Sequence, residues 1–181
     1  MQQPPRVKQK VRLIGRRIKN SDVYYAVKAN PDIEVLRLIN SLGTGFEIAS
    51  EGELNILATL GISKDRIITS NPIKSFKFMK IAADYGVSYF ALDSIDEVRK
   101  ISDFSPGCNV YVRLTVPNEG SEWPLSKKFA VEVEEAEELL MYAAKKGLNP
   151  VGLTFHVGSQ CTNMHNWDSA LDKAKTLWDR A

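Results

Sequence analysis

The sequence predicts an α/β fold in which parallel strands alternate with helices, as in an incomplete TIM (β/α)8-type barrel with about six βα units. Three observations support this prediction. Strand-like and helix-like runs alternate from residue 21 onward, one unit in about 20 to 25 residues, which is near the length of a barrel unit. No Gly-x-Gly-x-x-Gly turn follows the first strand, as it would in a dinucleotide-binding doubly wound sheet. Polar residues follow every strand, rather than collecting at one switch point.

The composition bounds the class of protein. A chain of 181 residues with 44% hydrophobic residues is long enough for one domain with a real core. A net charge of +2 does not predict a nucleic-acid partner, and no apolar run reaches the roughly 18 residues of a membrane span. Cys108 and Cys161 form no disulfide or metal pattern. We therefore expect a cytoplasmic protein in a reducing setting, with no metal, nucleic-acid or membrane partner.

Residues 1–20 form a basic segment that we treat separately from the barrel domain, residues 21–181. The segment is predicted to be an amphipathic helix, because Val7, Val11, Ile14 and Ile18 recur at helical spacing. Such a helix lies on an anionic membrane or nucleic acid in some proteins. More often its charges simply face water, and we favour that reading here.

The elements follow in order along residues 21–181. The predicted strands are 23–27, 44–48, 66–69, 87–92, 110–115 and 151–157. The predicted helices are 32–42, 50–60, 74–85, 94–101, 133–146 and 166–180. At the start of the first of these helices, Asn30 is the predicted N-cap and Pro31 the first helical residue.

The six strand ends bring chemically useful side chains to one face of the predicted sheet. They carry Lys28; Glu47; Ser70 and Asn71; Asp93 and Ser94; Arg113; and His156 with Ser159. Asp93 and Ser94 could equally cap the next helix, and Arg113 could pair with an acid. In barrels, however, the carboxyl ends of the strands carry the catalytic groups. A lysine among other charges is a good amine nucleophile toward aldehydes, pyridoxal phosphate above all.

Four motifs occur in an order that resembles one enzyme family. They are YAVKAN at 25–30, GTGFEIAS at 43–50, WPLSKKF at 123–129 and FHVGSQ at 155–160. Together they resemble the fold-type III pyridoxal-phosphate decarboxylases. This family includes ornithine, lysine/ornithine, diaminopimelate and biosynthetic arginine decarboxylases, and it shares its barrel with alanine racemase. The last two motifs look most like bacterial ornithine or lysine/ornithine decarboxylases.

The resemblance implies pyridoxal 5'-phosphate as the cofactor and assigns roles to matching residues. Lys28 would be the Schiff-base lysine, and His156, the second catalytic residue, would stack on the cofactor ring. Arg113 would lie beside the ring, and Ser159 would contact the phosphate. Glu47 stands where relatives place an acid near the cofactor, usually aspartate.

Two further residues match family positions near the site without a defined role. These are Glu53 and Lys128. The implied reaction is that of a carboxy-lyase: removal of carbon dioxide from ornithine or lysine to give putrescine or cadaverine, in polyamine biosynthesis. The resemblance also implies a homodimer.

The sequence lacks parts that the resemblance predicts. The family has eight barrel strands and a C-terminal β domain, whereas we count six strands and no second domain. Six strands cannot close an eight-stranded barrel, so strands 23–27 and 151–157 should expose unpaired edges and apolar faces. We expect a fragment of a decarboxylase that is inactive alone. The alternatives are half of a split enzyme, a non-catalytic regulatory or binding remnant on the same scaffold, and a diaminopimelate decarboxylase.

Overall fold

Within the described residues, an initial helix is followed by six parallel strands that alternate with six further α-helices. The computed structural model describes residues 4–117, 119–122 and 129–180, with side chains from residue 6 on. The strands are β1 Tyr24–Ala26, β2 Gly45–Glu47, β3 Ile67–Ile68, β4 Tyr89–Leu92, β5 Asn109–Leu114 and β6 Asn149–Phe155. The helices are α1 Pro4–Arg17, α2 Ile33–Ser41, α3 Glu51–Thr59, α4 Phe76–Tyr85, α5 Ile95–Phe104, α6 Val133–Lys145 and α7 His165–Trp178.

The strands follow one another in space in the same order as in the sequence. Strands β1–β2–β3 and β4–β5–β6 form two parallel three-stranded sheets. A parallel bridge between Thr69 and Phe90 joins β3 to β4 and makes the six strands continuous. A doubly wound sheet would reverse direction at a switch point. Sequential order with no reversal is instead the order of barrel strands.

Strand β5 shows how the sequence separates the two faces of the sheet. Its alternate residues Val110, Val112 and Leu114 are at most 1% exposed and pack in the apolar core with the helices. The intervening residues Tyr111 and Arg113 point to the opposite, concave face, because successive strand side chains alternate between faces. This alternation places polar side chains of neighbouring strands together on the concave face.

Every predicted strand and helix of residues 21–181 is present, with small shifts at the ends. The predicted start of α2 was wrong. Asp32 caps the helix, accepting hydrogen bonds from the backbone N–H groups of Glu34 (3.0 Å) and Val35 (3.2 Å), and the first helical residue is Ile33. Asn30 is extended, and its side chain accepts the Asp32 N–H instead, in a turn before the helix.

Two further boundaries differ around β3. The strand is only Ile67–Ile68, not the predicted 66–69, because Arg66 ends a 3-10 turn and Thr69 forms an isolated bridge. Helix α4 begins at Phe76 and not at residue 74, because the Ser75 hydroxyl caps it by accepting the Phe78 N–H at 3.1 Å. Lys74 therefore lies before the helix, where it is buried.

The outer strands leave their far edges open within the described ranges. Strand β1 pairs only with β2, and β6 only with β5. Beside β6, a groove of about 560 Å³ lies between α6, the strand and α7, and its lining includes Met141, Val151 and Trp178, all exposed. At the other end of the chain, α1 presents Leu13 and Ile14 to solvent. No helix among the described residues is both long and apolar enough to cross a bilayer.

Candidate functional site

Lys28 follows β1 in a short 3-10 turn, Val27–Ala29, two residues beyond the last residue of the strand, Ala26. Val27 is fully buried and anchors this turn in the core, whereas the neighbouring Lys28 side chain is exposed. The positive charge of Lys28 acts to lower the pKa of both Glu47 and His156. The lysine therefore stands on the concave face, within electrostatic reach of the ends of β2 and β6.

Glu47 ends β2 on the same face and is half-buried. Burial raises its pKa above the ordinary value, and the charge of Lys28 is the largest effect that opposes the rise. The Ser70 N–H, which donates to Oε1 at 3.4 Å, and the charge of Arg113 act in the same direction as Lys28. Glu47 is thus a carboxylate held between two cations, in surroundings that partly favour its protonated form.

Arg113 lies near the carboxyl end of β5 and is half-buried. Burial lowers its pKa, and the carboxylates of Asp93 and Glu47 counteract that effect. Its guanidinium carbon lies 5.6 Å from the centre of the Phe129 ring, within the range of a cation–π contact. Asp93 accepts the Ala130 N–H at 2.9 Å, which ties the segment carrying Phe129 to the site.

His156 follows β6 directly and is exposed in this chain. Burial of part of the ring lowers its pKa, and the positive charges of Arg113 and Lys28 lower it further. Its Nδ1 accepts the Gly158 N–H at 2.9 Å, so the neutral ring carries its proton on Nε2. Gly158 has a φ of +96°, which lets the chain turn back sharply enough to make this bond.

The sheet register independently places these groups side by side in two pairs. Ala26 at the end of β1 pairs with Glu47 on β2, and Arg113 on β5 pairs with Thr154, two residues before His156. Residues two apart on a strand share a face, so Arg113 and His156 lie at neighbouring positions on the concave side. The register thus places Lys28 beside Glu47 and Arg113 beside His156, and the electrostatic effects of these groups on one another link the two pairs.

The other predicted residues stand as follows. Ser159 is exposed in the turn after His156. Glu53 uses its carboxylate to accept the Ala49 N–H at 2.7 Å at the start of α3, and its negative charge also raises the pKa of Glu47. Lys128 and most of the segment 123–129 lie outside the described residues. Ser94, one of the two alternative caps, accepts the Glu97 N–H and caps α5, whereas Asp93 faces Ala130 and Arg113.

Tyr111 is a site neighbour that the sequence analysis did not single out. Its hydroxyl donates to the Thr69 carbonyl at 2.8 Å and lies 3.3 Å from the Ser70 hydroxyl. The phenol reaches from β5 to the end of β3 across Ala91, the small residue of β4 with which Tyr111 pairs. Burial raises its pKa strongly, so it remains a neutral hydrogen-bond donor. The signal was its position two residues before Arg113, on the same strand face.

Comparison with known proteins identifies the family. A family profile described as "Pyridoxal-dependent decarboxylase, pyridoxal binding domain" matches residues 5–181. The lysine/ornithine decarboxylase of Selenomonas ruminantium is 39% identical over 176 residues, 97% of this chain and 45% of that protein. The ornithine decarboxylase of Schizosaccharomyces pombe is 36% identical over 157 residues, 87% of this chain and 36% of that protein.

A comparison with solved structures indicates the same family. A structure of SrLDC in complex with PLP and cadaverine superposes with a TM-score of 0.90 at 38% identity, covering 98% of this chain and 45% of that one. The chain thus spans less than half the length of the relatives to which it is similar, and the shared part is their N-terminal barrel region. We conclude that this chain belongs to the pyridoxal-dependent decarboxylase family, whose pyridoxal-binding domain its residues 5–181 match.

Proposed function

We propose that this chain binds pyridoxal phosphate through the amine of Lys28 and serves the decarboxylation of a basic amino acid, ornithine or lysine. The observation that carries the proposal is the convergence of Lys28, Glu47, Arg113 and His156 from four strand ends on one concave face. The names of the relatives, lysine/ornithine and ornithine decarboxylase, support the substrate class.

The residues present suit this cofactor chemically. The cofactor would need an accessible amine, cationic neighbours for its anionic oxygens and a ring-facing imidazole. The exposed Lys28, the guanidinium of Arg113 and the neutral imidazole of His156 meet these needs. Ser159, exposed in its turn, is proposed to contact the phosphate. When bound, the cofactor supplies an aldehyde for the amine and a ring that accepts electrons from the bond to the departing carboxylate.

Each side chain then has a defined task. Arg113, fixed between Asp93 and the Phe129 ring, holds the cofactor in place. His156 presents an uncharged ring face, because its surroundings disfavour the imidazolium and the Gly158 N–H occupies Nδ1. Glu47 keeps a carboxyl group next to the Lys28 amine, where it balances charge when the lysine is protonated. These tasks concern binding and orientation, which precede any chemistry.

We further propose that residues 1–181 alone bind the cofactor without turning over substrate. The relatives are more than twice as long as the matched region, which supports a need for further barrel and C-terminal segments. The apolar side chains beside the open β6 edge support association with another chain, a homodimer in the full-length case. The two free cysteines are compatible with a reducing, cytoplasmic location.

The test is cofactor uptake by the purified chain. Titration with pyridoxal phosphate should produce an absorbance band of protein-bound cofactor, and Lys28→Ala should abolish it. Lys77→Ala is the matched control, because Lys77 is an exposed lysine on α4 that pairs only with Glu51 among the described residues. Equal uptake by all three proteins would contradict the role of Lys28.

Carbon dioxide release then separates the two parts of the proposal. The chain alone should release none from ornithine or lysine, and adding a separately expressed C-terminal portion of a family member should restore release. Activity of the chain alone would refute the need for further segments.

A second candidate function, a binding or regulatory protein on the same scaffold, is favoured by the open edges of β1 and β6. A stable protein partner with no cofactor uptake would support this second function instead.

A further inference from the structure

A fully buried lysine lies outside the candidate site, at the end of β3. The Lys74 side chain has no exposed surface, and its ammonium donates to the carbonyls of Ala91 (2.6 Å), Asn71 (3.1 Å) and Pro72 (3.1 Å). The Glu97 carboxylate lies 3.0 Å from the same nitrogen. Burial lowers the pKa of Lys74 to about 8, against the attraction of Glu97, so the ammonium form dominates at neutral pH.

The ammonium stands where the sheet would otherwise continue. Thr69 makes the last rung between β3 and β4: its N–H donates to the Tyr89 carbonyl and its carbonyl accepts the Ala91 N–H. In a parallel ladder the next rung would use the carbonyls of Ala91 and Asn71. Lys74 donates to both of these carbonyls. One lysine side chain thus replaces one rung and lets the backbone leave the sheet at residue 70.

The segment released in this way reaches the candidate site. The Ser70 N–H donates to Glu47, and the Ser70 hydroxyl meets the Tyr111 hydroxyl. On its other side the segment is held to α5, because Glu97 accepts the Lys74 N–H at 3.3 Å and Lys100 donates to the Lys74 carbonyl at 2.5 Å. Glu97 is itself nearly fully buried between these two lysines.

We propose that Lys74 is a positioning residue: its ammonium ends the pairing with β4 at Thr69 and holds Ser70 against Glu47 and Tyr111, so that the cofactor pocket keeps its shape. The residue touches neither cofactor nor substrate, since it is buried behind the loop. The proposal rests on the proposed cofactor function for its consequence, but its structural part concerns only this chain.

The experiment compares two cations that donate to backbone carbonyls at opposite ends of β3, the buried Lys74 and the half-buried Arg66. Arg66 is the matched control, because it donates to the Asn40 side chain at 2.6 Å and to the Asn40 and Thr44 carbonyls at the amino end of the strand. Both Lys74→Met and Arg66→Met should lower thermal stability. Only Lys74→Met should weaken pyridoxal phosphate binding, by about tenfold, with Arg66→Met within about twofold of the parent chain.

A second variant protects the test against misfolding. Lys74→Met leaves Glu97 as a buried carboxylate with Lys100 as its remaining cationic partner. Lys74→Met/Glu97→Leu removes the charges of both Lys74 and Glu97, leaves Lys100 as a partly exposed cation, and should recover part of the stability. The carbonyls of Ala91 and Asn71 still lack their donor in the double variant, so its cofactor affinity should remain low. Recovery of affinity together with stability would overturn the proposal, as would an equal loss of affinity in Arg66→Met.

Hydrogen exchange provides a readout that needs no cofactor. Amides in residues 69–75 should exchange faster in both Lys74 variants and at the parent rate in Arg66→Met, when all are measured equally far below their unfolding temperatures. Unchanged exchange in the Lys74 variants would overturn the proposal. If even the parent chain binds no pyridoxal phosphate, the proposed function fails, and exchange alone decides whether Lys74 holds the loop.

Discussion

Replacing Gly45 by alanine should destabilise the chain through one identifiable collision. The ring of Tyr24 lies across Gly45 on the neighbouring strand, and an alanine Cβ would stand 2.3 Å from its Cε1 and 2.4 Å from its Cδ1. Two carbon atoms in contact are ordinarily about 3.5–4.0 Å apart, so the overlap exceeds about 1 Å. The new Cβ would also lie 3.1 Å from the Arg66 carbonyl oxygen, which the backbone holds in place.

The magnitude follows from two opposing effects. Inserting a methyl group into an occupied space costs about 1–3 kcal/mol. Replacing glycine returns about 0.4–1 kcal/mol, because the unfolded chain loses conformational freedom. The difference between these two ranges is a loss of about 0–2.6 kcal/mol in the free energy of unfolding for Gly45→Ala. The Tm should fall by about 2–4 °C per kcal/mol for a chain of this size.

Urea denaturation of a double-mutant cycle measures the collision itself. In a Tyr24→Ala background, Gly45→Ala should cost less than about 0.5 kcal/mol, because the ring is gone and only the Arg66 carbonyl remains close. Gly52→Ala on α3 is the control of opposite sign, since nothing lies within 4 Å of its added Cβ and alanine favours the helix by about 1 kcal/mol. An equal loss in both backgrounds would refute the collision with Tyr24.

Three further outcomes follow from the described geometry. An NMR titration should give His156 a pKa below its ordinary value of about 6.5. Because the folded state then binds fewer protons than the unfolded state, the free energy of unfolding should fall as the pH drops from about 6.5 through the pKa of the folded state. A raised pKa of His156 would contradict this prediction. Burial raises the pKa of Glu47, so just above its ordinary pKa of 4.5 the folded state binds more protons than the unfolded state and loses stability as the pH rises. Glu47→Gln should therefore unfold at a higher urea concentration than the parent chain at pH 7. A lower urea midpoint for the variant would contradict the raised pKa. Ala130 has a φ of +89°, so Ala130→Gly should stabilise the chain by about 0.5–1 kcal/mol in thermal unfolding, and a loss would argue against that backbone conformation.

The order and type of elements could be predicted because their signals are local. The alternation in β5, with Val110, Val112 and Leu114 on one side and Tyr111 and Arg113 on the other, is legible from the sequence alone. The convergence of Lys28, Glu47, Arg113 and His156 was predictable for a related reason: parallel strands in sequential order bring their carboxyl ends to one rim. Family membership, first indicated by four motifs, is confirmed by the family profile and the relatives.

The predicted N-cap of α2 was wrong because two residues of types favoured as N-caps lie close together before this helix. Asn30 and Asp32 are both favoured N-cap residues, and each does accept a backbone N–H in the structure. A local pattern gives no preference between an Asx turn before the helix and the cap itself. The difference of two residues moves the helix start without moving Lys28.

Lys74 could not be predicted because two of its partners are distant in sequence. Its ammonium meets the carbonyl of Ala91 and the carboxylate of Glu97, which lie on β4 and α5. In sequence, Lys74 stands near the start of a helix, where lysine is usually a solvated residue. Only the early end of β3 creates the unpaired carbonyls that make a buried ammonium favourable.

Locating the cofactor on the chain tests the central claim most directly. The purified chain would be mixed with pyridoxal phosphate, covalently trapped with borohydride, digested and examined by mass spectrometry. We predict that the cofactor mass falls on the peptide containing Lys28 at substoichiometric cofactor, ahead of exposed lysines such as Lys77. Labelling spread over the lysines according to their exposure, or none on Lys28, would contradict the assignment of this rim as the pyridoxal site.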